Sequence, residues 1–207
     1  MLVHTPHLDS ERQCRMFCRR IRTDFGDLAV RPLGPADAVM AQTFITGLSG
    51  TSRYFRFFQA LKCLPPAMLD RCTCIDHVTQ VALAALHDRD GRPSMVAEAR
   101  YVVAADSRSA EFALAVADHW QRRGVATQLM ATLERIAAAA GITRLTADCL
   151  AVNAGFVSLA RSLGYRVHAD GSDRSLLRIE KDIREGRRTR VASFDNAMCA
   201  IGSASHW

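Results

Sequence analysis

Apolar and polar residues alternate along several stretches of this chain, and a period near 3.6 takes over between them, so strands and helices are interleaved. Asp27 to Leu33 alternates through Leu28 and Val30 until Pro32 ends the pattern, which predicts a first strand. Pro35 then stands in the first turn of a helix running to about Leu48. Ser49 to Ser52 break it, an aromatic-rich helix over Arg53 to Leu61 follows, and Pro65 and Pro66 open a third helix ending near Cys72. Thr79 to His87 and Ser94 to Ala104 read as strands joined by Asp88 to Pro93, whose Asp-Gly step is a hairpin signal. With a strand over Ala110 to Ala117 they form an antiparallel meander.

Beyond the meander, Val125, Leu129, Leu133, Ile136 and Ala140 fall on one helical face that Gly141 closes. Arg144 to Leu150 reads as a strand, Asn153 to Leu163 as a helix, and Tyr165 to Ala169 and Leu176 to Lys181 as the last strands. Residues 1–25 lack strand alternation and read as an extension with one short helix around Glu11 to Ile21. A single domain is expected over 26–183, followed by a basic, solvated tail over 184–207.

At 207 residues, 49% hydrophobic and 23% charged, the chain suits one domain with a substantial core. No apolar run approaches the ~18 to 20 residues that span a bilayer, and the first ten residues lack the order of a signal peptide. No membrane partner is expected, and the cytoplasm is the default location. Seven irregularly spaced cysteines suit free thiols better than a disulfide framework. Neither Cys14 and Cys18 with His4 and His7, nor Cys72 and Cys74 with His77, shows the paired spacing of structural zinc, so no metal is expected. The net charge of +6 rests on 25 arginines against two lysines, Lys62 and Lys181. Such an excess suits a nucleotide cofactor's phosphates, an acidic protein surface or nucleic acid. The last ranks lowest because no basic stripe is interleaved with aromatics.

Gln121-Arg122-Arg123-Gly124-Val125-Ala126 lies between a strand and a helix, where successive backbone amides and a helix N-terminus make an anion site. Gly124 permits a tight turn, Ala126 leaves the approach open, and Arg122 and Arg123 add charge. The turn lacks the glycine spacing of the nucleoside triphosphate and dinucleotide loops.

These six residues resemble the acetyl-CoA turn of the GNAT acetyltransferases, Gln/Arg-x-x-Gly-x-Gly/Ala. Asn153 and the run Leu163-Gly164-Tyr165 sit where that family has its next helix, and the resemblance spans about residues 27–181. Leu48-Ser49, Ser52 to Phe58, Ala99 to Val102, and Ala110 to Ala113 running on to Gln121 are more specifically similar to the acetyltransferase domain of bacterial protein lysine acetyltransferases. Tyr54, Phe55 and Phe58 are also expected to bury against the sheet. The resemblance implies an α+β fold, with a mixed, mainly antiparallel sheet of about six or seven strands flanked by helices on both faces. It implies acetyl-CoA as cosubstrate, held by Ala115, Val116 and Ala117 at a strand bulge, by Gln121 to Thr127, and by Asn153.

Acetyl transfer to an amine needs the amine neutral and the thioester carbonyl polarised. In the strand 111–117, Glu111 shares its face with Ala113, Ala115 and Ala117, so a ligand is expected along that face with the carboxylate beside it. The resemblance implies the same residue as general base, ten before Gln121. Glu98 is the alternative, with pairing to Arg100 as its competing role. Ala160 stands where many relatives carry an acid tyrosine, so the acid is unassigned. A protein lysine is the leading acceptor and a small-molecule amine the second. A non-catalytic acyl-CoA-binding regulator is the reading of a different class, and monomer and homodimer stay open.

Overall fold

The computed structural model describes residues 18–169, 171 and 173–183. Eight strands form one sheet: β1 (Arg19–Thr23), β2 (Gly26–Pro32), β3 (Gln80–Arg89), β4 (Arg92–Val103), β5 (Ser109–Val116), β6 (Arg144–Leu150), β7 (Arg166–Ala169) and β8 (Leu176–Asp182). Their order is β1-β2-β3-β4-β5-β6-β8-β7. Every neighbouring pair is antiparallel except β5 and β6. Five helices accompany them: α1 (Ala38–Gly47), α2 (Gly50–Phe57), α3 (Pro66–Thr73), α4 (Val125–Ala139) and α5 (Ala154–Ser162). The α+β class and mainly antiparallel sheet agree with expectation, and the strand count rises to eight.

The additional strand is β1, which lies inside the segment read as an extension and occupies the end of the segment read as a helix. The earlier part of that helix, the 1–17 segment and the tail from 184 lie outside the described residues. Ile21 is the single fully buried residue of β1, packed where Ile21 pairs with Leu28. One apolar position among arginines gives no alternation to count, so pairing with β2 makes this strand.

The β3–β4 hairpin forms as the Asp-Gly step predicts. Arg89 pairs with Arg92, and Asp90 (φ 57°) and Gly91 (φ 76°) both take the left-handed conformation of a two-residue turn. Pro35 begins a single 3-10 turn, Pro35–Asp37, before α1 proper. There Arg31 holds Asp37 bidentately at 2.7 and 2.6 Å.

Strand alternation sorts the two faces. Phe112 faces α4 and α5, its ring 6.2 Å from that of Phe156 and 5.2 Å from that of Tyr165. On the same face Arg19 reaches Thr132, and Lys181 reaches Glu134 at 2.8 Å. Glu98, Arg100 and Glu111 project from the opposite face, toward α2 and α3, where Arg100 donates to the Cys72 carbonyl at 2.9 Å. Leu129, Leu133, Leu83, Leu145 and Ile179, each 0% exposed, form the centre of the core.

Candidate active site

The pairing of β5 with β6 lasts only from Ser109–Arg144 to Glu111–Thr146, whereas β4 follows β5 to Val116 and β8 follows β6 to Leu150. Beyond Glu111 the two central strands therefore part into a wedge. The Ala117 amide donates to Val96 at 2.8 Å, which sets the parity of the ladder. Ala115's amide faces β4, and those of Leu114 and Val116 face the wedge. Ala115, expected to act beside Val116, turns its amide away from that of Val116. The structure exchanges Ala115 for Leu114, which parity counted from Val116 would have identified. No bulge interrupts the β4–β5 register, so the expected bulge in β5 is absent; the register shift lies between β3 and β4 at Ala85 and Leu86.

After Ala117 a 3-10 turn, Asp118–Trp120, anchors the glycine turn by burying Trp120, 5.0 Å from the His87 ring. Arg122 (φ 57°) and Gly124 (φ 75°) are both left-handed, which folds the chain sharply into α4. Gly124 is the N-cap and has no side chain to offer, and the first helical bond is Gln128 to Gly124 at 3.1 Å. The amides of Val125, Ala126 and Thr127 thus have no acceptor within the helix, at the positive end of a 15-residue dipole. This donor set suits a pyrophosphate. Arg122 is exposed beside it. Arg123 is differently employed: its guanidinium stacks 3.3 Å from the Phe25 ring centre and 5.5 Å from that of Trp120.

Asn153 caps α5, its side-chain oxygen accepting from the Phe156 amide at 3.1 Å. Ala160 is buried, and Tyr165 is a core residue whose phenol burial holds well above its ordinary pKa.

Glu111 is exposed, opposite Val102 and beside Thr146. The alanines on its face do not form the expected open ligand bed. Ala115 is buried at 8% exposure and lies opposite Glu98, whose carboxylate engages Arg56 of α2. Small residues here let α2 lie close, and the open space is the wedge.

Glu98 and Glu111 differ in kind. Glu98 is 4% exposed, bonded to the Arg100 guanidinium and 3.7 Å from that of Arg56. Burial pushes its carboxyl up, but the charges of Arg100 and Arg56 outweigh this and hold it below the ordinary range. An anion fixed between two guanidiniums is a weak proton acceptor, so its place is structural. Glu98→Ala leaves two buried cations without their counterion and is expected to cost about 3–5 kcal/mol in urea unfolding. In the wild type, the contribution of a carboxyl with lowered pKa is present above its unfolded pKa and declines as pH falls through the folded value. The variant should lack this acid-side decline, and an unchanged urea midpoint would assign Glu98 no such role.

The aromatic string of α2 also departs from expectation. No residue of α2 is fully buried, Tyr54 and Phe58 are 44% and 42% exposed, and Phe57 is the one that packs on the core. The polar residues bind the helix instead. Arg53 donates to the Thr46, Leu48 and Leu61 carbonyls, and Arg56 reaches Glu98.

Among the described residues no group of three His, Cys, Asp or Glu is arranged to hold a metal, and no helix is long and apolar enough to cross a membrane.

A mixed sheet parted at its centre, with an uncapped helix N-terminus beside the opening, is the architecture of an acyltransferase. Residues 55–165 match the model of the acetyltransferase (GNAT) family, and the chain belongs to that family. It is an acetyltransferase, and acetyl-CoA is its acetyl donor. An acetyltransferase of Pseudomonas aeruginosa is 31% identical over 144 residues, 70% of this chain and 77% of that protein. The GNAT domain of S. lividans PAT superposes with a TM-score of 0.74 at 28% identity, covering 81% of this chain and 97% of that domain. At 15% identity, yncA of Salmonella typhimurium, solved with its cofactor acetyl-CoA, shares the fold with a TM-score of 0.58, over 83% of this chain and 99% of that one.

Proposed function

We propose that the chain transfers acetyl from acetyl-CoA to the side-chain amine of a protein lysine, with Glu111 as general base. The observation that carries this reading is the end of β5–β6 pairing at Glu111, which puts a carboxylate at the apex of a wedge containing the Leu114 and Val116 amides. Bound acetyl-CoA supplies the thioester carbon that the amine attacks. Glu111 takes the proton from the incoming ammonium, directly or through one water. Leu114 and Val116 donate their amides to the oxygen that gains charge. The amides of Val125, Ala126 and Thr127, with Arg122, hold the pyrophosphate. A thiolate with a pKa near ~8.5 leaves without a dedicated acid, consistent with alanine at position 160.

Two features favour a macromolecular acceptor over a small amine. Glu111 and Val102 are both exposed, so the base stands on an open face that a protein side chain can reach. The similarity to the GNAT domain of PAT, at 28% identity, points the same way. The test is radiolabelled acetyl-CoA offered with unfolded casein, lysine peptides, polyamines and aminoglycosides in parallel. Label on lysine residues of casein or peptide supports the reading, whereas label confined to the small amines overturns it.

A further inference from the structure

The geometry points to Asp118 as a positioning residue that latches α2 onto the glycine turn and thereby aligns the acceptor side of the site with the donor side. This assignment rests on the proposed division of the two faces, with α2 on the face that bears Glu111.

The Asp118 carboxylate accepts three hydrogen bonds from a segment far away in sequence: the Ser49 amide at 2.8 Å, the Ser49 hydroxyl at 2.8 Å and the Ser52 hydroxyl at 2.7 Å. Ser49 is also the N-cap of α2, its hydroxyl oxygen accepting from the Ser52 amide at 3.1 Å. Gln121, the first residue of the turn, closes the network by donating to the Ser52 hydroxyl at 3.3 Å and to the Val116 carbonyl at 3.1 Å. One carboxylate therefore joins the start of α2, the end of β5 and the entry to the pyrophosphate turn. Burial raises the carboxyl somewhat, and the bonds from Ser49 and Ser52 more than reverse this, so the anion persists through the neutral range.

The two partners in this latch are unequally anchored. The turn is fixed independently by buried Trp120 and Val125. Helix α2 has no fully buried residue and depends on polar bonds. Loss of the carboxylate should consequently loosen α2 and leave the turn in place. On the functional side this predicts an effect on the acceptor and little on acetyl-CoA. Hydrogen bonds to a charged group are individually stronger than neutral ones, and three of them make the effect large enough to measure.

The experiment compares Asp118→Ala and Asp118→Asn in the whole 207-residue chain by hydrogen–deuterium exchange, by acetyl-CoA calorimetry and by kinetics on the best casein or peptide acceptor. In Asp118→Ala, amides 50–57 should exchange at least about tenfold faster while those of 125–139 keep their rates. The acetyl-CoA Kd should stay within about threefold, and the acceptor kcat/KM should fall about 10- to 100-fold. Asparagine keeps the shape and an accepting oxygen, and the serine hydroxyls can turn to receive from its amide, so Asp118→Asn should recover most of that loss. Unchanged exchange in 50–57, or equal loosening of both segments with weakened acetyl-CoA binding, overturns the latch. If neither variant nor wild type acetylates any lysine acceptor, the functional proposal fails. The exchange and calorimetry arms still decide the latch.

Discussion

Glu111→Gln is expected to lower acetyl transfer about 10²- to 10⁴-fold, the range of a single general base, while the acetyl-CoA Kd stays unchanged. The amide is nearly the same size and keeps an accepting oxygen, so only proton acceptance is lost. Glu111 lies four residues along β5 from Ala115, the partner of Glu98, which sets the backbone positions of the two glutamates about 14 Å apart along the strands at ~3.4 Å per residue. One amine cannot be served by both. The rate of the variant should rise with pH as more acceptor amine is already neutral, so the deficit narrows on the alkaline side. A variant that keeps full rate at pH 7 would remove Glu111 from the mechanism. Lost rate together with lost acetyl-CoA binding would indicate damage to the wedge instead.

Gly124→Val should strike the other half of the site. The position has φ 75°, which costs a side-chain-bearing residue roughly 1–2 kcal/mol and suits a β-branched one least. A Cβ added there meets no protein atom within 4 Å, so the fold has room for it. The space it enters is the approach to the uncapped amides of α4. Acetyl-CoA affinity is therefore expected to fall at least about tenfold by calorimetry, with a drop in Tm of only a few degrees. A Kd equal to wild type would place the pyrophosphate elsewhere. A collapsed fold would show that Gly124 serves the turn more than the ligand.

Where local pattern carries the information, sequence and structure coincide. The Asp90-Gly91 turn, the apolar face of α4 and the strand–turn–helix order around Gly124 depend on neighbours a few residues away. The places where they part are all decided by distant contacts. Alternation put Glu111 and the alanines on one face correctly, yet could not tell that Arg56 and Glu98 occupy it above Ala115. Spacing puts Arg123 beside a phosphate, whereas Phe25, from a turn outside the expected domain, lies beneath its guanidinium. The serines of Ser49 to Ser52 read as helix breakers, and their second role needs Asp118 to be brought beside them.

By itself the sequence determined the order of strands and helices from β2 onward, the glycine turn at the head of α4 and the place of Glu111 at the start of β5, because periodicity, glycine conformation and spacing are short-range properties of the chain. Only the tertiary structure decided that β5 leaves β6 after Glu111, that Leu114 rather than Ala115 turns its amide into the opening, and that β1 exists. Strand divergence and edge pairing are fixed by which backbone groups find partners across the sheet, and those partners lie far away along the chain.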